Sequence, residues 1–294
     1  MTLTQGRTRG TASGLFALAV LCVSVGSIFI RLAAAPPLAI AFYRISLAAL
    51  LIAPFTVSSA VRSWPGLSLR RRLAVTASGV ALGVHFATWI ASLSYTSVAA
   101  SVLLVNTAPV FTLAFSRLVL GEAIAPSVAA AMAVALVGAS LIAAADWAQS
   151  AASLLGSALA IAGAVTLSAY HVIGRGLRDA LPLPAYVLCV WAGAAATLGI
   201  LVAIAGVPVT GYPTRTLGWL LALAVVPTVI GHGLVNLSLR AFSAPTVGLF
   251  LLGEPVAAAG LAFAVFGERP GVLTLSGGLL VVTALVIVVR SEAA

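Results

Sequence analysis

Charge is what this 294-residue chain has least of: 7% of its residues are Asp, Glu, Lys or Arg, and 62% are hydrophobic. A soluble domain keeps roughly a quarter of its residues charged, and a mean hydropathy of +1.20 excludes an aqueous globular surface. The chain is an integral membrane protein by composition. Lysine is absent, so all fifteen basic residues are arginines, set against six acids for a formal charge of +9. A basic balance points to nucleic acid when the cations form a stripe with interleaved aromatics; here they stand at the ends of apolar runs. The only cysteines, Cys22 and Cys189, both lie inside apolar segments, which excludes a disulfide framework or a thiolate metal cluster and leaves small buried hydrophobes. Absent as well are a His-Glu-x-x-His pair, a phosphate-cradling glycine loop and a Gly-x-Ser-x-Gly elbow. The expectation is no enzyme, no metal and no cofactor. Without a nucleotide motif, any transport has to draw on an ion gradient or on the substrate's own gradient.

What is present is apolar sequence in span-sized lengths. A crossing helix needs about twenty apolar residues, and ten can be placed, at about 12–32, 38–56, 72–92, 98–118, 125–145, 154–174, 184–205, 217–237, 245–266 and 272–290. Their connections are mostly short, so successive helices are antiparallel neighbours. Arg7 and Arg9 before the first run, and Ala33-Ala34-Ala35 after it, imitate a secretory signal. The run is nearer twenty residues than the 7–15 of a signal core, and Arg31 precedes the alanines, so it is expected to stay as a span. With the N-terminus inside, Arg7, Arg9, Arg62, Arg70, Arg71, Arg72, Arg117, Arg175, Arg178, Arg240 and Arg290 fall on the cytoplasmic side, and Arg31, Arg215 and Arg269 on the other. That bias predicts both termini in the cytoplasm and an even number of spans.

The stretch Phe250-Leu-Leu-Gly-Glu-Pro-Val-Ala257 sets Glu254 beside Pro255 near the middle of an apolar segment. An ionised carboxylate at that depth costs several kcal/mol unless it faces a partner or a wet cavity, and an interior proline bends a helix. Val105-Asn-Thr-Ala-Pro-Val110 repeats the bend 146 residues earlier, and the same offset pairs Ser92 with Ser238, Ser97 with Ser243, Pro109 with Pro255, Gly121 with Gly267 and Glu122 with Glu268. Five spans per copy is an odd number, so the copies, 1–147 and 148–294, enter the membrane with opposite orientation. Inverted repeats place a binding site between the halves and suit alternating access, with one half rocking against the other about Pro109 and Pro255. The predicted class is an all-α membrane protein, ten transmembrane helices in two inverted five-helix repeats around a central cavity.

Phe42-Tyr-Arg-Ile-Ser-Leu-Ala-Ala49, Asn106-Thr-Ala-Pro-Val-Phe-Thr-Leu-Ala114 closing on Leu120-Gly-Glu122, and Leu252-Gly-Glu-Pro-Val-Ala-Ala258 closing on Phe266-Gly-Glu-Arg269 resemble the two EamA-type repeats of the drug/metabolite transporter superfamily. The resemblance runs from about residue 12 to 290. In overall likeness the chain is most similar to bacterial exporters of aromatic and other amino acids. The resemblance implies a basket of helices whose cavity is lined mainly by the first, third, fourth, sixth, eighth and ninth. For Arg44, which by itself reads as snorkelling to the interface, pairing locally or attracting a carboxylate, it implies a shared structural role.

Polar and aromatic residues on those helices are the candidate cavity residues. His85 and Trp89 share a helix face at four-residue spacing, continued by Ser92, and flank a substrate side chain or pack between helices. Asn106 meets a substrate or caps carbonyls freed by the bend. Tyr170 and His171 adjoin and point in different directions, while His232 and Asn236 repeat the four-residue spacing. Glu254 neutralises an ammonium group, carries a proton, or stays protonated and bonds backbone. Glu122 and Glu268, near Arg117 and Arg269, are expected at exposed helix ends as packing or orientation devices. The predicted partner is a small amphipathic metabolite, foremost an amino acid, exported across a bacterial inner membrane. Efflux of lipophilic cations is the alternative within transport, and a passive channel or membrane enzyme lies outside it.

Overall fold

The computed structural model describes residues 2–120, 126–177, 180–238 and 253–293, without the side chains of residues 2–13, 16, 120, 236–238, 288, 289 and 291–293. Among these residues the chain is helical and contains no strand: α1 (Thr2–Ala33), α2 (Pro37–Ser63), α3 (Leu69–Ser92), α4 (Val98–Val105), α5 (Ala108–Phe115), α6 (Pro126–Gln149), α7 (Ala151–Gly176), α8 (Leu183–Ile204), α9 (Thr214–Leu223), α10 (His232–Ser238), α11 (Gly253–Phe266) and α12 (Val272–Ala293). Seven stretches among them are long and apolar enough to cross a membrane: Pro37–Gly66, Leu69–Ser92, Val98–Val119, Pro126–Gln149, Ala151–Gly176, Leu183–Ile204 and Thr214–Val235. Three shorter apolar helices, Ala17–Ala33, Gly253–Phe266 and Val272–Ile287, accompany them. Phe55, Leu118 and Ile204 are each at least 79% exposed, as side chains facing acyl chains are.

The helix starts follow local chemistry. Pro37 and Pro109 occupy first turns, where the missing N–H has no intrahelical partner to lose. Ser97 and Ser150 accept the backbone N–H groups of Ala100 and Ser153, both at 3.1 Å, and so begin α4 and α7 as N-caps. Gly267 ends α11 with φ at +69°, a left-handed conformation that costs glycine nothing, and its N–H reaches the Phe263 carbonyl at 2.9 Å. The chain reverses there and delivers Glu268 back toward the bundle, which is the physical use of the Gly-Glu pair.

Helices approach closely where side chains vanish. A Cβ on Gly79 would lie 3.0 Å from the Gly193 Cα, and one on Gly83 would lie 3.0 Å from Thr197, so the small-residue pair Gly79/Gly83 sets the α3–α8 crossing. Gly138 and Gly277 do the same for α6 and α12, each hypothetical Cβ landing 2.6 Å or less from the other's carbonyl oxygen.

Most extensive contacts join a helix before residue 147 to one after it: α3 on α7 and α8, α2 on α8, α6 on α12, and α1 on the 214–238 stretch and on α11. These pairings recur with the roles exchanged, since α3 on α7 matches α1 on 214–238, and α4 and α5 on α7 match α1 on α11. The two halves are interlaced, with most of the extensive helix contacts running between the copies.

The fourth span bends where its proline predicts: it breaks at Asn106–Thr107 between α4 and α5, and Pro109 lies in the first turn of the second piece. The bend expected at Pro255 adjoins residues 239–252, which lie outside the described ones. A further irregularity went unpredicted: residues 224–231 form a π-helix around Pro227, and the Thr228 hydroxyl bonds the Leu223 carbonyl at 2.9 Å.

Candidate functional site

Arg44, seven residues along α2 from Pro37, is 2% exposed. Its Nε donates to Thr228 Oγ1 at 2.9 Å, and its guanidinium carbon lies 4.5 Å from the Phe86 ring centroid and 5.4 Å from that of Trp89. Snorkelling is thereby corrected: the side chain points inward, because α2 carries it about 10 Å from the helix start at 1.5 Å per residue and the π-helical turn presents Thr228 to receive it. An arginine so placed needs both a hydrogen-bond acceptor and polarisable neighbours, and the two rings of α3 supply the second.

His85 and Trp89 share one face as their spacing predicts, with rings stacked at 5.9 Å and 12°. His85 Nδ1 lies 2.9 Å from the Gly163 carbonyl. A carbonyl only accepts, so Nδ1 carries a proton, and in the neutral imidazole Nε2 is an acceptor. His85 and His232 are each within electrostatic reach of Arg44 and His171, and of one another, and Glu254 is within reach of Arg44. The chain's three histidines, one arginine and one glutamate, from α2, α3, α7, α10 and α11, thus converge. Tyr170, His232 and Glu254 are half-buried, and His171 is exposed.

The other expected residues divide. Tyr170 stacks on Tyr186 at 6.4 Å and lies 5.2 Å from His171. Asn106 spends its amide N–H on the Val102 carbonyl at 2.9 Å, closing the turn before the break. The Asn236 side chain and Glu122 lie outside the described residues. Glu268 was expected beside Arg269 at an exposed end; instead it is 20% exposed and forms an ion pair with Arg31. Its other oxygen accepts the Val98 N–H at 3.0 Å, where the positive end of α4 favours a carboxylate.

Arg31 also donates to the carbonyls of Leu93 at 3.1 Å and Thr96 at 2.8 Å. The Thr96 hydroxyl donates to Asp146 at 2.6 Å, and Ser157 donates to the same carboxylate at 2.5 Å. One network therefore ties α1, the 93–98 turn, α6, α7 and the turn after α11 together at one end of the bundle. Beside it lie a cavity of about 380 Å³, lined by Arg31, Pro37, Ile40, Ile90, Leu93 and Phe266 among others, and one of about 330 Å³ bordered by Glu268, Tyr95 and Gln149. Sequence reasoning missed Arg31 and Asp146, though an acid near a helix end is a signal by itself. Asp146→Ala would strand two buried hydroxyls at about 1–3 kcal/mol each; thermal unfolding in detergent is expected to show the loss, and an unchanged midpoint would refute the network's structural role.

Among the described residues no group of three or more His, Cys, Asp or Glu is arranged to hold a metal ion. What the interior offers is a neutral imidazole acceptor, a guanidinium, a carboxylate and aromatic faces, which suits reversible binding of a small polar molecule.

No curated protein matches the chain. A solved structure described as "Crystal structure of protein" is 19% identical, covers 97% of this chain and 99% of its own, and superposes with a TM-score of 0.63, a likeness of fold alone. The model of the EamA-like transporter family matches residues 11–144 and again 154–290. Two matches in tandem span nearly the whole chain, which is all-helical where described and rich in membrane-length helices. The chain belongs to the EamA-like transporter family.

Proposed function

We propose that the protein is a secondary transporter exporting small amphipathic metabolites, foremost amino acids including aromatic ones, across the inner membrane by alternating access. One observation carries this: Arg44, His85, Trp89, His232 and Glu254 meet inside an apolar bundle, from helices on both sides of the chain's midpoint. Buried charges of both signs beside aromatic faces suit a zwitterion with an apolar side chain. A lipophilic cation suits the site less, since the Arg44 guanidinium already covers Phe86 and Trp89.

The seven long and three short apolar helices fit ten crossings in two inverted repeats, 1–147 and 148–294. The recurrence of helix pairings with exchanged roles supports a two-fold relation between the copies. The inversion is supported by α6, whose 24 residues are about 36 Å long and put Pro126 at the opposite end from Gln149, which lies beside Glu268. Arginine bias places the termini in the cytoplasm, so the Arg31–Glu268 network closes the outer face. Rocking of one half against the other would bend the helices at Pro109 and Pro255, with the α4–α5 break and the π-helical turn at Pro227 as further interruptions.

Counterflow in proteoliposomes tests this. Labelled phenylalanine is expected to enter saturably against internal unlabelled phenylalanine, and non-saturable entry would indicate a pore. Glu254→Gln is expected to cut exchange at least tenfold, the effect of losing a hydrogen bond to a charged group. Exchange left unchanged at every pH tried would remove Glu254 from both recognition and proton transfer.

A further inference from the structure

Among the described residues, two of the interior's strongest donors have nothing to donate to: Arg44 Nη1 and Trp89 Nε1 are both buried without a hydrogen-bond partner there, in residues 2% and 7% exposed, with the guanidinium 5.4 Å from the indole. A buried N–H left unpaired costs about 1–3 kcal/mol, more when charged, and two side by side are rarely tolerated unless something else occupies the site part of the time. Nothing about the backbone forces the arrangement. Nε of the same arginine is satisfied by Thr228, and the neighbouring imidazole by Gly163.

The 380 Å³ cavity lies near these donors. Ile40 and Arg44 are four apart on α2, and Trp89 and Leu93 are four apart on α3, so each pair shares a helix face. Ile40, Ile90 and Leu93 line the cavity, and Arg44 and Trp89 stand about one helical turn, roughly 5 Å, beyond its wall. His232 and Glu254 are within electrostatic reach of Arg44.

We propose that Arg44 Nη1 and Trp89 Nε1 form a carboxylate subsite, accepting a solute with a single carboxylate, while Glu254 and the His85 Nε2 acceptor face the solute's ammonium group. This rests on the transport function proposed above and names the charged group recognised. A carboxylate is preferred to a phosphate, because one guanidinium offsets one negative charge and Glu254 next to it repels a second. Two carboxylate oxygens can take one hydrogen bond each from two separate N–H groups. The subsite is shut in this conformation, both nitrogens being shielded, so binding accompanies a shift of α2 or α3 against the π-helical turn.

The test is equilibrium binding to the full-length protein in lipid nanodiscs, with L-phenylalanine, 3-phenylpropionate, L-phenylalaninamide and phenethylamine as probes. The two acids are expected to bind at least tenfold more tightly than the two compounds without a carboxylate. Trp89→Phe keeps an aromatic ring and removes the N–H, and is expected to reduce that preference at least threefold. Arg44→Lys keeps the charge without the fork and is expected to reduce it further; should it fail to fold, the tryptophan variant still decides. Equal binding of acid and amide, a preference that survives Trp89→Phe, or binding of none of the four overturns the subsite. Counterflow separates the two proposals. Saturable exchange of phenylalaninamide as fast as phenylalanine leaves transport standing and removes the subsite, while acid-selective binding without exchange does the reverse.

Discussion

Gly277→Leu is expected to abolish the folded protein. A Cβ at that position would already sit 2.5 Å from the Gly138 carbonyl oxygen and 2.8 Å from the Ile142 side chain, and a backbone oxygen inside a helix cannot swing aside as a side chain does. The α6–α12 crossing would have to widen, and the contacts around it, Ala139, Ile142, Val281 and Leu285 in one buried cluster, would loosen together. In lipid this matters more than in water, because acyl chains are as apolar as the side chains and helices associate through close packing alone. Overpacking costs about 1–3 kcal/mol even where a core can adjust, and here it cannot adjust locally. The measurement is the yield of monodisperse protein by fluorescence-detected gel filtration, expected to fall at least tenfold. Gly138→Leu should do the same, and the double variant should cost little more than either, since the first substitution already separates the helices. Normal yield from Gly277→Leu would mean that the two helices do not cross at these glycines.

Glu268→Gln is expected to unlatch the network at the Arg31 end. It removes the carboxylate from Arg31 and weakens the cap on α4 at Val98. The pair is partly exposed, so the loss falls below the 3–5 kcal/mol of a fully buried pair, at about 1–3 kcal/mol. Arg31→Gln alone should cost a similar amount, because it leaves Glu268 among carbonyls. Combining the two should cost less than their sum, the unpaired charge being gone. The functional readout is access: a maleimide should label Leu93→Cys, on the cavity wall, several-fold faster in a Glu268→Gln chain in which Cys22 and Cys189 are replaced by alanine. Identical labelling rates would show that this ion pair holds helices together without guarding the cavity.

How much of this was legible beforehand differs from residue to residue. The His85–Trp89 face was readable, because helical spacing alone puts residues four apart on one side and their rings do stack. The break before Pro109 was readable too, since a proline's missing N–H acts within its own turn. Arg44 was misread: its neighbours in sequence suggest an interface, and Thr228, which receives it, lies 184 residues away. Glu268 was assigned to the adjacent Arg269, while the chain reversal at Gly267 swings it to Arg31, 237 residues distant.

Composition and periodicity determined the membrane class, the helices and the repetition of one unit, because each depends on transfer of side chains from water and on bonds within a few residues. The interlacing of the two copies, the inward turn of Arg44, and the closing of one end by Arg31, Glu268 and Asp146 were decided by tertiary structure. In an apolar bundle any of several helix faces can be buried at similar free energy, and glycine crossings and buried hydrogen bonds between remote segments choose among them.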